Sequence, residues 1–260
     1  MNNTADIIDD ICCDIGGKHA VEKMVRLNAP VAEVALRRGH SAVVTTVDGR
    51  SFSSNHVIIT APLKPLKKIH FEPPLPAEKS AAMNRISYCC YKKVQIEFSS
   101  PFWSCKDPFL VLINSDRQKA TLGPSLLLDN FLYLRGVPIL EAVVVGKYGQ
   151  ALVGKPDVEI QRIIIDAISD HFAVTEVVDC VVSRWEEDIY STGAYSFHGT
   201  SYRSGDVEII REPVAYSRGC APQIFFAGEH TDPVIYGSLN AAYSSGVRVA
   251  GEVLSAMKGE

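Results

Sequence analysis

The chain has 260 residues, of which 47% are apolar, and this predicts a soluble globular protein of one large domain or two small ones. Its 26 basic and 30 acidic residues give a net charge of -4, with no basic run that could follow a phosphate backbone, so direct nucleic-acid binding is not expected. The apolar runs are too short for a membrane span, and the acidic start does not resemble a targeting signal. The scattered cysteines argue against a disulfide framework and favour a reducing compartment. The scattered histidines argue against a metal site.

The first third of the chain is predicted to be mostly β structure. Residues 5–24 lack a clean apolar period and indicate helix only weakly. Three later segments predict strands, residues 31–36, 42–47 and 56–60. Asp48-Gly49 is typical of a hairpin turn between two of them, which gives a three-stranded antiparallel unit or part of one. Pro62 ends the third strand, and residues 71–76 predict an irregular connector.

The middle of the chain alternates between strands and one clear helix. Residues 91–98, "YKKVQIEF", place apolar side chains on one face and Lys93 on the other, as in a half-buried strand. Further strands are predicted at 109–113, 125–134 and 141–146. Asp157 is predicted to cap a helix over 158–172. The apolar stripe of this helix is predicted to consist of Ile160, Ile163, Ile164, Ala167 and Ile168.

The C-terminal stretch "IFFAGEHTDPVIYGSLNAAYSSGVRVAGEVL" predicts a buried strand, a loop and a helix. The strand ends at Gly228, where the missing side chain permits close approach of backbone or ligand. A helix is predicted from Leu239, and one apolar face is predicted to hold Leu239, Ala242, Tyr243, Gly246, Ala250, Val253 and Leu254. The loop carries an acid, Glu229, and the helix N-terminus that follows has free N–H groups and a partial positive charge, which favour an electron-rich ligand. A plain strand–helix packing unit is the alternative reading.

Several motifs resemble the flavin-containing amine oxidase family, which includes polyamine oxidases, monoamine oxidases and lysine-specific histone demethylases. "FFAGEHT" followed by "GSLNAAYSSGVRVAGEVL" is similar to the family's C-terminal signature, and "VSRWEEDIYSTGAYSF" to its tryptophan–acid–glycine–tyrosine segment. "HVIITAPLKPLKKIHFEPPLPAEK", "KVQIEFSSPFW" and "MVRLNAPVAEV" are similar to its central and adenine-side strands. The resemblance covers roughly residues 20–256 and implies a mixed α/β, two-domain fold linked to FAD.

One departure from the family concerns phosphate binding. The family has a strand–G-x-G-x-x-G–helix unit whose glycines let the backbone reach the FAD pyrophosphate, and no such motif occurs in the 260 residues. Gly16-Gly17 is too short and follows no strand. The sequence is therefore expected to hold an incomplete FAD domain, formed by residues 1–89 and 204–260, around a mixed-sheet substrate domain at 90–203.

The resemblance also implies a catalytic lysine. The family lysine holds a water against flavin N5, and its match here is Lys93. The adjacent Lys92 is one residue out of register and is expected to point to the other face of the strand. Without the resemblance, a lysine on the polar face of a strand indicates only a solvated side chain.

Substrate and flavin contacts are implied in the same way. Tyr195 matches a tyrosine that forms one wall of the amine site. Trp185 matches a tryptophan that packs along the isoalloxazine. Ser238 occupies the position at which monoamine oxidases have a second cage tyrosine. A small residue at that position is more typical of the polyamine oxidase and histone demethylase branches. Without the resemblance, Tyr195 indicates a strand tyrosine with its hydroxyl in water, and Trp185 ordinary core.

The remaining matches concern FAD. Glu229, beside Gly228, matches the acid that binds the sugar-alcohol part of FAD. The backbone N–H of Leu239 matches the group that lies near the flavin N1–C2=O edge. Val31 matches a backbone contact to adenine, and Thr60 with Pro62 matches the turn beside the flavin.

The function implied is FAD-dependent oxidation of an amine C–N bond to an imine, with release of hydrogen peroxide. The expected partners are a polyamine or a lysine-bearing peptide, and the expected compartment is cytoplasm or nucleus, with homo-oligomerisation left open. The first alternative is a truncated, non-catalytic relative that acts as a binding or dimerisation module. The second is another two-domain FAD protein, such as a protoporphyrinogen or phytoene oxidoreductase, against which Lys93 and the "GEHT" loop argue.

Overall fold

The computed structural model describes residues 4–37, 41–114, 121–217 and 219–258. These residues form a mixed α/β structure whose strands make a four-stranded sheet, a five-stranded sheet and two small two-stranded sheets. The predicted fold class is confirmed. No helix within the described ranges combines the length and the apolar character that crossing a bilayer requires.

The N-terminal segment is helical. It forms α1 (Thr4–Asp14) and α2 (Lys18–Met24), which pack against each other. The prediction of weak helix was therefore wrong for this segment. In α1 the isoleucines at 7, 8 and 11 recur at helical spacing, although all three remain exposed. Their spacing therefore indicates a helix here even though the helix buries none of them.

The four-stranded sheet has the order β3-β2-β1-β5. Its strands are β1 (Val31–Arg37), β2 (Ser41–Thr46), β3 (Ser51–Ser54) and β5 (His70–Glu72). Strands β1 to β3 are antiparallel, and β5 runs parallel to β1. The Asp48-Gly49 turn joins β2 to β3, where Gly49 has a φ of 84° and Asp48 accepts a hydrogen bond of 2.5 Å from Thr46 Oγ1.

The predicted third strand lies elsewhere. Residues 57–59 form β4 (Val57–Ile59), which pairs in parallel with β13 (Ile224–Phe226) and not with β2. The hairpin partner of β2 is β3, whose sequence Ser-Phe-Ser-Ser is exposed throughout. An exposed, serine-rich edge strand carries none of the apolar alternation by which strands are predicted, so it was missed.

The five-stranded sheet is antiparallel with the order β11-β7-β10-β9-β8. Its strands are β7 (Tyr91–Phe98), β8 (Phe109–Ile113), β9 (Ser125–Asn130), β10 (Ile139–Val145) and β11 (Val177–Val182). The predicted strand 125–134 was too long, because the buried Asn130 side chain accepts hydrogen bonds from the N–H groups of Leu132 and Tyr133. This cap begins the short helix α5 (Phe131–Arg135).

Helix α7 (Asp157–Ser169) covers one face of this sheet, and α6 (Gly146–Gln150) precedes it. The apolar stripe of α7, formed by Ile160, Ile164 and Ile168, is fully buried among strand residues such as Val94 and Ile96, which confirms the predicted face. Asp157 is the first helical residue and Pro156 holds the cap position, so the predicted cap was wrong by one residue. The carboxylate of Asp157 instead pairs with Arg184.

A second core lies around the four-stranded sheet. The remaining short elements here are α3 (Leu63–Leu66), α4 (Ala77–Arg85), β6 (Ser87–Tyr88), β12 (Ser196–Phe197) and α8 (Asp206–Arg211). This core draws on residues between Val34 and Ile86 and between Val207 and Phe226, whereas the core under α7 draws on residues from Val94 to Ile168. The domain boundaries near residues 89 and 203 stay a prediction.

The C-terminal helix α9 (Leu239–Lys258) begins where it was predicted to begin. The predicted apolar face does not coincide with the side of the helix that packs against the rest of the chain. The helix buries Ala241, Ser245 and Val249, whereas Leu239 and Tyr243 are exposed. Small residues occur on both sides of this helix, so composition alone did not distinguish the packed side from the open one.

Candidate functional site

An apolar cavity of about 920 Å³ lies beside β1 and β4. Val31, Thr60 and Pro62, all predicted as ligand contacts, line it together. Ile189 and Tyr190, from the loop after β11, line it from another part of the chain. The structure thus brings three predicted residues to one pocket whose wall is suited to a flat, apolar group.

The carboxylate of Glu229 is the centre of a hydrogen-bond cluster. Gly228 lies two residues after the end of β13, and its φ of 128° is a conformation that glycine adopts readily; a short 3-10 turn at Glu229–Thr231 follows. Oε1 of Glu229 accepts from Ser196 N at 3.1 Å, and Oε2 accepts from Ser196 Oγ and from Gly237 N, both at 2.7 Å. Glu229 therefore connects β12 to the loop before α9.

Gly228 and the helix α9 are joined directly. The Gly228 N–H donates to Ser245 Oγ at 2.8 Å, on the buried side of α9. A Cβ at position 228 would lie 2.6 Å from Cε1 of His230, so a larger residue would displace that ring. Gly228 thus serves close packing within the chain, and its predicted contact with a ligand stays a prediction.

Ser238 caps α9. Its Oγ accepts from Ala241 N at 3.1 Å, which satisfies one of the N–H groups left open at a helix start. Leu239, the first helical residue, is 62% exposed. Its predicted role depends on the backbone N–H at this helix end, which lies next to the Glu229 cluster.

Tyr195 packs against the same loop. A Cβ at Gly237 would approach Cδ2 of Tyr195 to 2.9 Å, so the tyrosine ring lies directly on that glycine. The Tyr195 ring centroid is also 5.8 Å from that of Tyr91. Burial raises the pKa of Tyr195 to about 12, and the Cys89 thiol contributes in the same direction. Tyr195 and Ser238, the two predicted substrate residues, are therefore neighbours through Gly237.

Lys93 lies on the same face of β7 as Tyr91. Its ammonium Nζ is 2.5 Å from Oε1 of Glu141 on β10. Partial burial lowers the pKa of Lys93, but the hydrogen bond and negative charge of Glu141 outweigh burial, so the pKa lies above its ordinary value. The alternation predicted from the sequence is confirmed, because Lys92 points to the opposite face.

Lys92 was not recognised as a site residue. It is fully buried, and its Nζ donates to Ser183 O at 3.0 Å and lies 3.4 Å from Glu187 Oε1 and 3.6 Å from Glu186 Oε2. Glu186 also accepts from the Tyr91 N–H at 3.0 Å. A signal for it existed in the sequence: a lysine at an apolar position of an alternating strand requires a buried acid as partner.

These contacts fix the turn that carries Trp185. Trp185 is 53% exposed, and its backbone carbonyl accepts a hydrogen bond from Gly193 N at 2.9 Å. The structure therefore places Trp185 on the surface of a turn anchored to β7, and its predicted packing along a flavin ring stays a prediction.

The family model described as flavin containing amine oxidoreductase matches residues 11–254. The match extends over nearly the whole chain, so the chain belongs to this family. The resemblance that its motifs carry is confirmed.

Individual relatives fall into two groups. The chain is 29% identical to histone demethylase-like protein A of Aspergillus fumigatus, covering 90% of this chain and 23% of that protein. It is 32% identical to polyamine oxidase 4 of Oryza sativa subsp. japonica and 29% identical to the human peroxisomal N(1)-acetyl-spermine/spermidine oxidase. Those matches cover 88% and 80% of this chain and 45% and 44% of the relatives. The chain therefore spans less than half the length of each relative.

Replacing Lys92 by Met tests the buried ion cluster. We expect Lys92→Met to lower the free energy of unfolding by about 3–5 kcal/mol, because it leaves the buried Glu186 carboxylate without a cation. Urea denaturation followed by circular dichroism measures the loss. The double variant Lys92→Met/Glu186→Gln is expected to recover part of it, and Lys147→Met, at an exposed lysine, to change little. A double variant no more stable than the single one would contradict the pairing.

His230 predicts a dependence of stability on pH. It is buried, its Nε2 has no hydrogen-bond partner within the described part of the chain, and burial lowers its pKa from 6.5 to about 4 despite the opposing charge of Glu229. Between these two values the unfolded chain binds more protons than the folded one, so stability falls as the pH falls through this window.

The expected contribution of His230 to this fall is roughly 3 kcal/mol. His230→Gln should flatten the pH dependence of the unfolding free energy over this range, whatever its effect at neutral pH. His171→Gln, which changes an exposed histidine, is the control and should leave the slope unchanged. Equal slopes in wild type and His230→Gln would show that His230 is not the titrating group.

Proposed function

We propose that the chain forms the flavin and substrate half of an FAD-dependent amine oxidase of the polyamine oxidase or histone demethylase type. The observation that carries this proposal is the packing of Tyr195 against the Gly237-Ser238 turn, held by the Glu229 carboxylate. This places an aromatic wall beside a small residue at the start of a helix. Such a wall stabilises a nearby cation, and the short Ser238 side chain leaves room for an extended amine.

The residues present fit the flavin and adenine ends of FAD. The cavity at Val31, Thr60 and Pro62 offers apolar walls for a ring system. The Glu229 carboxylate has room for about four hydrogen bonds and receives three within the chain, which leaves one position for a sugar hydroxyl. The N–H groups at the start of α9 favour negative charge beside them.

When bound, FAD supplies the hydride acceptor and is reoxidised by oxygen to give hydrogen peroxide. The substrate amine loses a hydride and a proton, so its C–N bond becomes an imine that water hydrolyses. Within this scheme Tyr195 walls the amine, Ser238 leaves space for its chain, and Lys93 holds a water through its ammonium group. The proposed substrates are a polyamine or a lysine-bearing peptide, in line with the names of the relatives.

A non-catalytic binding or dimerisation module is the second candidate. It is favoured by the exposed apolar side chains of α9, which include Leu239, Tyr243, Val247, Leu254 and Met257. Exposed apolar surface of this extent favours association with another chain.

The absorption spectrum of the purified chain decides between the two candidates. After gel filtration with excess FAD, we expect a retained flavin band that bleaches when spermine, N1-acetylspermine or a lysine-bearing peptide is added without oxygen. A folded chain whose retained flavin none of these amines bleaches would contradict the oxidase proposal and leave the binding module, whereas a folded chain that retains no flavin would show that these residues alone do not hold FAD.

Replacing Lys93 by Met tests the catalytic assignment. We expect flavin binding to be kept and amine-dependent bleaching or reoxidation to slow by roughly 10- to 100-fold, because one preorganised donor is removed from the site. Lys106→Met changes an exposed lysine on a distant loop and should behave as wild type. Unchanged rates in Lys93→Met would remove Lys93 from the mechanism.

A further inference from the structure

Lys93 shares the open face of the five-stranded sheet with a buried acid. Strand β7 places Tyr91, Lys93 and Gln95 on this face, away from α7. On the neighbouring strand β10, Val143 lies opposite Lys93 and Glu141 opposite Gln95, so Glu141 is diagonal to the lysine. Diagonal neighbours on adjacent strands are within reach of a long side chain.

Glu141 is bound on both oxygens. Its side chain is only 3% exposed, Oε1 accepts from Lys93 Nζ at 2.5 Å, and Oε2 accepts from Gln95 Nε2 at 2.5 Å. A buried carboxylate is costly unless it is paired and hydrogen-bonded. The ammonium of Lys93 is therefore required at this position for Glu141 to remain charged.

The pair restricts Lys93 more than it restricts Glu141. The Lys93 side chain is 45% exposed, and a half-exposed lysine without a partner would sample many rotamers in water. Its ammonium group carries three N–H donors. Glu141 engages one of them and leaves the others for acceptors on the open face, where Tyr91 meets Tyr195.

We propose that Glu141 is a positioning residue for Lys93, which holds it as an ammonium donor in one orientation on the open face of the sheet. The inference rests on the proposed function only in assigning Lys93 to the flavin. It implies that Lys93 donates a hydrogen bond and does not remove a proton from the substrate amine.

Charged and titratable groups around the pair act in the same direction. Tyr91 on β7 and Asp129 on β9 both favour the charged form of Lys93, with smaller effects than Glu141. Burial, followed by the charge of Glu141, raises the pKa of Asp129. Further along the same face, Glu97 lies opposite Asp179 of β11 in the strand register. Of these groups, Glu141 is hydrogen-bonded to the lysine.

The chemical reactivity of Lys93 tests the inference directly. The full chain, without added FAD, is acylated with an amine-specific reagent across about pH 8 to 11, and the modified lysines are quantified by peptide mass spectrometry. In Glu141→Gln we expect Lys93 to react roughly fivefold faster near pH 9, relative to the exposed Lys106, because more of it is uncharged. The midpoint of its titration should move to lower pH.

Glu97→Gln is the matched control. It removes the same charge from the same face of β7, four residues and about 13 Å further along the strand. It should leave the reactivity and titration of Lys93 as in wild type. Equal Lys93 titration in wild type, Glu141→Gln and Glu97→Gln would overturn the inference.

A second variant covers loss of the fold. If Glu141→Gln loosens the chain, the buried Lys92 becomes reactive too, and Glu141→Asp then decides. Aspartate keeps the charge but is one methylene shorter, so we expect faster acylation of Lys93 with Lys92 still protected. Wild-type reactivity of Lys93 in Glu141→Asp would contradict a positioning role. Because no flavin takes part, a chain that fails to bind FAD leaves the result intact.

Discussion

The carboxylate of Glu229 is the interaction on which the arrangement of the site depends. Three donors from two other segments converge on it, two from Ser196 and one from Gly237. Hydrogen bonds to a charged acceptor are stronger than those between neutral groups. Since Tyr195 precedes Ser196 and Ser238 follows Gly237, one side chain sets the distance between the aromatic wall and the start of α9. Its neighbour Gly228 ties the same loop to the buried side of that helix through Ser245.

Two adjacent lysines of β7 show how strand alternation gives neighbouring residues different surroundings. Lys92 faces the core and is enclosed by the turn that follows β11, where its charge is used to fix backbone. Lys93 faces the open side and keeps part of its ammonium accessible. An exchange of the two environments would need a shift of the whole strand by one residue, which would also bring Val94 and Ile96 to the surface.

The sequence was a good guide wherever burial follows a regular period. Strand β7 and the buried stripe of α7 were both predicted, because apolar residues recur there at intervals of two or of three and four. The serine-rich strand β3 lacks such a period, and the packed side of α9 is marked by residues too small to differ from those on its open side. In both cases the deciding contacts come from distant segments.

The site itself was predictable only as a set of matching positions. The roles of Lys93, Tyr195 and Glu229 follow from the family resemblance and stay predictions, although the structure brings Tyr195 and Glu229 to one loop. The partners of the two lysines were not predictable. Glu141 lies 48 residues from Lys93 and Glu187 lies 95 residues from Lys92, and no spacing rule connects them.

The cavity beside β1 has a consequence for how the chain responds to an occupant. Its walls come from residues near Val31 and Thr60 and from Ile189 and Tyr190, and the Lys64 ammonium donates to Thr192 O across 128 positions of sequence. An unfolded chain therefore has no such cavity. Any molecule that binds there binds the folded state alone, so by mass action it raises the apparent melting temperature in proportion to the logarithm of its excess over its dissociation constant.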